Sequence, residues 1–156
     1  AGAVTTAGNA SGLNDAAAAL VLCSRSFAEA HGLRPLATIR GWASAGVDPV
    51  ETGLAPTHAL PKALAKAGIA IGDLQSVEIN EAFASMAVAS TRILGLDPEI
   101  VNVNGSGCSL GHPIGCTGAR MIVTMVNELI RTDAQWGAVA MCAAGGMGSA
   151  TVIERV

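Results

Sequence analysis

The sequence predicts a layered α/β fold, a mixed sheet covered by helices. Three observations carry that expectation. Stretches with helical spacing alternate with short strand-like runs along the 156 residues. Two glycine-rich loops, around 104–118 and 143–148, follow runs that read as strands. The interior must also be built from small side chains, because 30 alanines and 19 glycines stand against 3% aromatics. Small residues let helices lie close on a sheet, and the core they leave is aliphatic.

Composition narrows the function classes. The net charge is −3, which provides no electrostatic footprint for nucleic acid. No run approaches the roughly 18 apolar residues of a membrane span. Charged residues make up 13% and hydrophobic ones 51%, against about 25% charged in an ordinary soluble domain. That deficit implies that another polypeptide covers part of the surface. Cys23, Cys108, Cys116 and Cys142 suggest no disulfide framework, and the sequence opens on no signal peptide. Both point to a reducing, cytoplasmic setting. A single domain of this length can bury about two-thirds of its unfolded surface.

In chain order, Ala1 to Leu13 is small, polar and turn-rich, and reads as a loop at a fragment start or processed end. Asn14 or Asp15 is expected to cap a helix over 16–30 that stops at Gly32 and carries Cys23 in the core. A strand follows over 36–47, then a loop over 48–56 and a helix over 58–67 that ends at Gly68. Ser76 to Asn80 reads as a strand and 81–94 as a helix stopped by Gly95. A further strand is expected over 100–103. The long helix over 113–131 shows Met121, Ile122, Met125, Val126, Leu129 and Ile130 at 3.6-residue spacing. Strands over 138–142 and 149–156 flank the loop AAGGM.

The chemistry centres on Asn102 to Arg120, NVNGSGCSLGHPIGCTGAR. His112 sits between Gly111 and Pro113. Proline suits a first helical turn, so His112 is expected at the mouth of a helix, near the positive end of its dipole. Asn80 in NEAFA and Cys142 in CAAGGMG occupy comparable places after two other expected strands. An amide, an imidazole and a thiol at strand ends form a plausible catalytic set. Plainer readings exist: Asn80 as a helix cap, Cys142 as a small buried hydrophobe, His31 and His58 as surface histidines. Cys108, His112 and Cys116 have C-x3-H-x3-C spacing, yet Gly111 and Pro113 prevent one helix from presenting all three to a metal. No metal site is expected.

SVEINEAFA, NVNGSGCSLGHPIGCTGAR and CAAGGMGSA resemble the three C-terminal motifs of the thiolases. VTTAGNASGLNDAAAA resembles the segment that leads from the thiolase loop domain into the C-terminal half. The resemblance runs over the whole chain, with the motifs in family order and spacing. It implies a thiolase-type fold, with 1–13 ending the loop-domain segment and 14–156 forming the C-terminal domain. It further implies that Asn80 holds a water that, with His112, forms an oxyanion hole. His112 would deprotonate a nucleophilic cysteine. Cys142 would move the proton at the α-carbon of the second acyl-CoA or on the departing CoA thiol, its pKa brought near neutral by the glycine loop. The backbone N–H of Ala144 belongs in the second oxyanion hole. Ser11, with Ala10 and Gly12, would touch the pantetheine arm, and Phe83 would line the acyl pocket.

Two features depart from the family pattern. None of the four cysteines matches the nucleophile's motif, which lies in an N-terminal half that this sequence does not include. The family's C-x-G-G-G is here Cys142-Ala143-Ala144-Gly145-Gly146. Alanine keeps the N–H, but a positive φ at 144 would cost about 1 kcal/mol or more. The implied activity is acyl transfer between CoA thioesters, either synthesis of acetoacetyl-CoA or thiolysis of 3-ketoacyl-CoA. CoA and acyl-CoA are substrates and no cofactor is implied. The implied partners are an N-terminal thiolase half and further copies in a homodimer or homotetramer. The alternative is an inactive fragment or a CoA-binding or assembly domain.

Overall fold

The computed structural model describes residues 4–156; the first three residues of the 1–13 segment lie outside it. Four strands form one sheet: β1 (Ala37–Gly46), β2 (Ser76–Ile79), β3 (Trp136–Ala143) and β4 (Met147–Arg155). Their spatial order is β1-β4-β3-β2. β4 runs antiparallel to both β1 and β3, whereas β2 and β3 are parallel. The sheet is therefore mixed, and helices cover both of its faces.

Strand alternation explains the two layers of core. Ala138 and Ala140 of β3, with Ala150 and Val152 of β4, face a helix, α2 (Ala55–Ala67), which buries Ala59, Leu60, Ala63 and Leu64. A second helix, α3 (Ala84–Leu94), adds Met86 and Ala87 to that layer. Val139 and Ile153 face the other way and meet Met121, Met125 and Leu129 of the helix over Thr117–Thr132. Those three recur every fourth residue, so they form one buried stripe. Small residues set the spacing between layers. A Cβ on Gly41 of β1 would overlap the Ala63 carbonyl oxygen of α2.

Several elements differ from the expectation. The helix expected over 16–30 is reduced to α1 (Arg25–Ala30), capped by Ser24, whose hydroxyl accepts from the Phe27 N–H at 3.2 Å. Residues 14–24 form no helix and are exposed, Cys23 included. A run of alanines is not enough for a helix without a face to bury, and every residue of this stretch is exposed. The loop expected over 48–56 contains a 3-10 turn, Pro49–Leu54, and α2 starts earlier than expected, at Ala55. It stops at Gly68 in the left-handed conformation. The helix expected from 81 begins at Ala84, so Asn80 and Glu81 stay outside it. Asn80 is not its cap; Phe83 occupies that place. His31 and His58 are exposed, as expected.

The strand expected over 100–103 is absent. Val101 makes one isolated bridge to Val77, and Asn102 then turns to φ 53°. Its side chain replaces the missing strand. Asn102 Oδ1 accepts from the Ile79 N–H at 2.8 Å and its Nδ2 donates to the Ile79 carbonyl at 3.0 Å. One amide side chain thus pairs with β2 as a neighbouring peptide group would. The glycine-rich loop beyond it holds a short helix, α4 (Gly107–Leu110), that the sequence pattern did not indicate. The following helix, α5 (Thr117–Thr132), starts one turn later than expected because Pro113 to Cys116 form a turn closed on the Pro113 carbonyl.

Candidate active site

β2 and β3 lie side by side and parallel, with Ile79 opposite Ala140. The next residue, Asn80, donates its backbone N–H to the Ala140 carbonyl at 2.9 Å. This fixes Asn80 at the carboxyl end of β2, beside the β3 segment that leads to Cys142. Its side chain is 0% exposed, and Oδ1 has no protein hydrogen-bond partner among the described residues. Gly107 of α4 closes over it: a Cβ there would overlap the Glu81 carbonyl and press on Asn80 Oδ1. Glu81 ties the same corner together. Its Oε2 accepts from the Cys108 N–H at 3.1 Å and its Oε1 from Asn102 Nδ2 at 3.2 Å.

His112 approaches Asn80 across the loop. Asn80 Nδ2 lies 3.4 Å from His112 Nε2 and 3.5 Å from Nδ1. The His112 backbone N–H donates to Asn14 Oδ1 at 3.1 Å, and Leu13 forms a parallel bridge to His112. Asn14, expected as a helix cap, instead anchors the histidine. The imidazole Nδ1 is 2.7 Å from Thr117 Oγ1. The ring therefore sits against the first residue of α5, although the helix starts later than expected. Burial, and then the charge of Arg120, holds the His112 pKa below its ordinary value. That favours the neutral imidazole.

Arg120 itself is clasped by the buried Glu78 carboxylate, to which Ser106 also donates at 2.8 Å. Burial pushes the Glu78 carboxyl up, against the lowering effect of Arg120 and of the Ser106 hydroxyl. Thr117, Glu78, Ser106 and Arg120 escaped the sequence reasoning. Each is an ordinary helix, strand or loop residue until the chain brings it to its partner.

Cys142 lies near the end of β3, half-buried, with its sulfur 3.4 Å from Met86 Sδ. Burial pushes its thiol pKa up. This corrects the expectation of a thiol drawn towards neutrality by the glycine loop: the surrounding apolar packing outweighs backbone hydrogen bonding. Ala144 is exposed in the β3–β4 turn. The positive φ angles there fall on Gly145 (86°) and Gly146 (81°), not on Ala144, so alanine is unstrained at 144.

The segment from Ala10 to Asn14 joins these parts. Ala10 bridges Phe83 antiparallel, and the Ser11 N–H donates to the Ala82 carbonyl at 3.0 Å. Gly12 is exposed and leads into the Leu13 bridge to His112. Phe83 is itself half-exposed, at 43%. Ala10 and Ser11 thus lie along Ala82 and Phe83, and Gly12 connects them to the bridge at His112. Beyond His112 an open cleft of roughly 370 Å³ lies between residues 14–18 and 113–116. Among the described residues, no three His, Cys, Asp or Glu side chains gather where they could hold a metal ion. No helix is long and apolar enough to cross a membrane among the described residues.

Comparison with known proteins bears on this arrangement. The family described as thiolase, C-terminal domain, matches residues 33–155. The β-ketothiolase BktB of Cupriavidus necator is 53% identical over 151 residues, covering 97% of this chain and 38% of that protein. An acetyl-CoA acetyltransferase of Paracoccus denitrificans is 52% identical over 150 residues, 96% of this chain and 38% of its own length. The crystal structure of the Bacillus anthracis acetyl-CoA acetyltransferase superposes with a TM-score of 0.95 at 51% identity, over 97% of this chain and 39% of that one. Human mitochondrial 3-ketoacyl-CoA thiolase gives 0.89 at 39% identity, over 97% of this chain and 38% of that one. The chain thus spans under two-fifths of the length of these relatives. With the mixed α/β fold and a family match over most of its length, this chain belongs to the thiolase family.

Proposed function

We propose that this chain supplies the acid–base part of an acyltransferase that moves acyl groups between CoA thioesters. The observation that carries the reading is the meeting of buried Asn80 with a His112 whose pKa is lowered, at the end of the strand pair that also bears Cys142. The relatives' names, acetyl-CoA acetyltransferase, β-ketothiolase and 3-ketoacyl-CoA thiolase, support this class of substrate. In this reading the nucleophilic cysteine belongs to an N-terminal thiolase half. Residues 1–13 end the loop-domain segment and 14–156 form the C-terminal domain. Homo-oligomers, a cytoplasmic location and no cofactor complete it.

The chemistry runs in two steps. His112 takes the thiol proton of the nucleophile, and the thiolate attacks the first thioester. Asn80, through a water, and His112 stabilise the negative oxygen. The C–S bond to CoA breaks and an acyl-cysteine remains. Cys142, a thiol at rest because burial raises its pKa, gives its proton to the departing CoA sulfur and becomes the thiolate that removes the α-proton of the second acyl-CoA. The carbanion attacks the acyl-cysteine, its C–S bond breaks as the nucleophile's sulfur takes back the proton held by His112, and the 3-ketoacyl product leaves, with the backbone N–H of Ala144 as a donor in the second oxyanion hole. Ser11 with Ala10 and Gly12 holds the pantetheine arm, and Phe83 borders the acyl pocket. Thiolysis is the reverse.

Mass spectrometry after incubation with acetyl-CoA tests this. An acetyl group is expected on a cysteine outside this chain's four. His112→Ala should slow its appearance by about 10²–10⁴-fold, the usual worth of a general base. Cys142→Ser should leave acetylation standing and abolish acetoacetyl-CoA formation. Acetylation undiminished in the alanine variant would overturn the role of His112. A protein that binds CoA but is never acetylated would be a binding or assembly domain.

A further inference from the structure

We propose that Thr117 is a positioning residue that holds the proton on His112 Nδ1 and so leaves Nε2 bare as the proton acceptor. The inference rests on the base role of His112 but assigns something that role does not contain, the tautomer and what selects it. Thr117 is 0% exposed, so solvent does not compete for its hydroxyl. Oγ1 lies 3.0 Å from the Pro113 carbonyl, to which it donates, and 2.7 Å from His112 Nδ1. A hydroxyl has one proton and two lone pairs. With its proton on the Pro113 carbonyl, Oγ1 faces the imidazole as an acceptor. Nδ1 must then carry the hydrogen.

Among the described residues, no other group makes that choice. Asn80 Nδ2 lies 3.4 Å and 3.5 Å from the two ring nitrogens, too long and too even to favour either. Arg120 is engaged by Glu78. The arrangement also suits the charged state. When Nε2 takes a proton, both ring nitrogens become donors, and Nδ1 keeps the acceptor it already has. Had the hydroxyl pointed its proton at Nδ1, it would have to rotate during proton transfer. A partner that needs no reorientation is the preorganised one. The turn that starts α5 supplies the geometry, since the Pro113 carbonyl also receives the Cys116 and Thr117 N–H groups at 2.7 and 2.9 Å.

Histidine side-chain nitrogen NMR on the isotope-labelled protein at neutral pH reads the tautomer directly, with His112 identified by the loss of its signals in His112→Gln. The expected wild-type spectrum has Nδ1 in the N–H range and Nε2 in the range of a bare ring nitrogen. Thr117→Val, which keeps the shape and removes the acceptor, should move the proton towards Nε2, and Thr117→Ser should restore the wild-type pattern. A wild-type His112 protonated on Nε2, or an unchanged Nδ1–H form in Thr117→Val, would overturn the proposal. The wild-type spectrum decides by itself if the valine variant does not fold. Acetylation that survives His112→Ala would remove the base role while leaving the tautomer assignment standing, so the two readings fail separately.

Discussion

The base role proposed for His112 requires a neutral imidazole, which its surroundings favour. Burial, and then the Arg120 charge, lowers its pKa from 6.5. A lowered pKa means that the proton is taken up only at lower pH. The rate of acyl-enzyme formation is therefore expected to hold as pH falls through 6.5 and to decline below it, with an acid limb that disappears in His112→Ala. A limb centred above the ordinary histidine value, read from the pH dependence of single-turnover acetylation, would contradict the burial argument. His112, Asn80 and Cys142 were legible in the sequence because each stands in a short motif beside glycine or at a strand end. Their supports were not. Ser106 meets Glu78 across 28 residues and Arg120 meets it across 42; no local pattern announces such a pair. Thr117 looked like any residue of a first helical turn. The direction of the Cys142 shift was also hidden, because it depends on the apolar packing around the sulfur rather than on the visible glycines.

Among the elements, those with their own punctuation were readable. Gly68 and Gly95 end α2 and α3 in the left-handed conformation, and the methionine and leucine stripe of α5 is one buried face. Two elements failed for opposite reasons. The stretch 14–24 has helix-forming residues, but all of them are exposed and no face of it is buried. The stretch 100–103 has strand-forming residues, but Asn102 ends the pairing by offering its side chain in place of a backbone. That substitution has a measurable cost. Asn102→Ala removes both bonds to Ile79 and the bond to Glu81, at about 0.5–1.5 kcal/mol each. Alanine at φ 53° adds about 1 kcal/mol of strain. A loss of about 2.5–5.5 kcal/mol is expected in denaturant unfolding. Asn102→Gly should recover only the strain, about 1 kcal/mol. Full recovery by glycine would show that the side-chain pairing contributes nothing.

At the scale of the molecule, the low charge density finds its counterpart on the surface. Val21 is 91% exposed and Leu22 71%, with Leu20 beside them, in the same stretch that forms no helix. Replacing all three by serine should move the thermal midpoint of this chain by no more than about 5 °C, since surface changes away from caps and networks are usually worth under about 0.5 kcal/mol each. The same change should reduce self-association in sedimentation velocity. A large fall in the midpoint would mean that these side chains are buried in the folded chain. The sheet itself is guarded differently. A strand edge is a template on which foreign backbone can crystallise. On the β2 side the template is filled at its carboxyl end by Asn102. On the β1 side, the pairing with β4 slips at Arg40, and the Lys66 ammonium sits on the Trp42 carbonyl. A second copy laid along that edge would bring cation against cation. The Asn102 side chain thus also acts as a stopper: it takes up the Ile79 amide and carbonyl that an added strand would need, beside the corner where Asn80 meets His112.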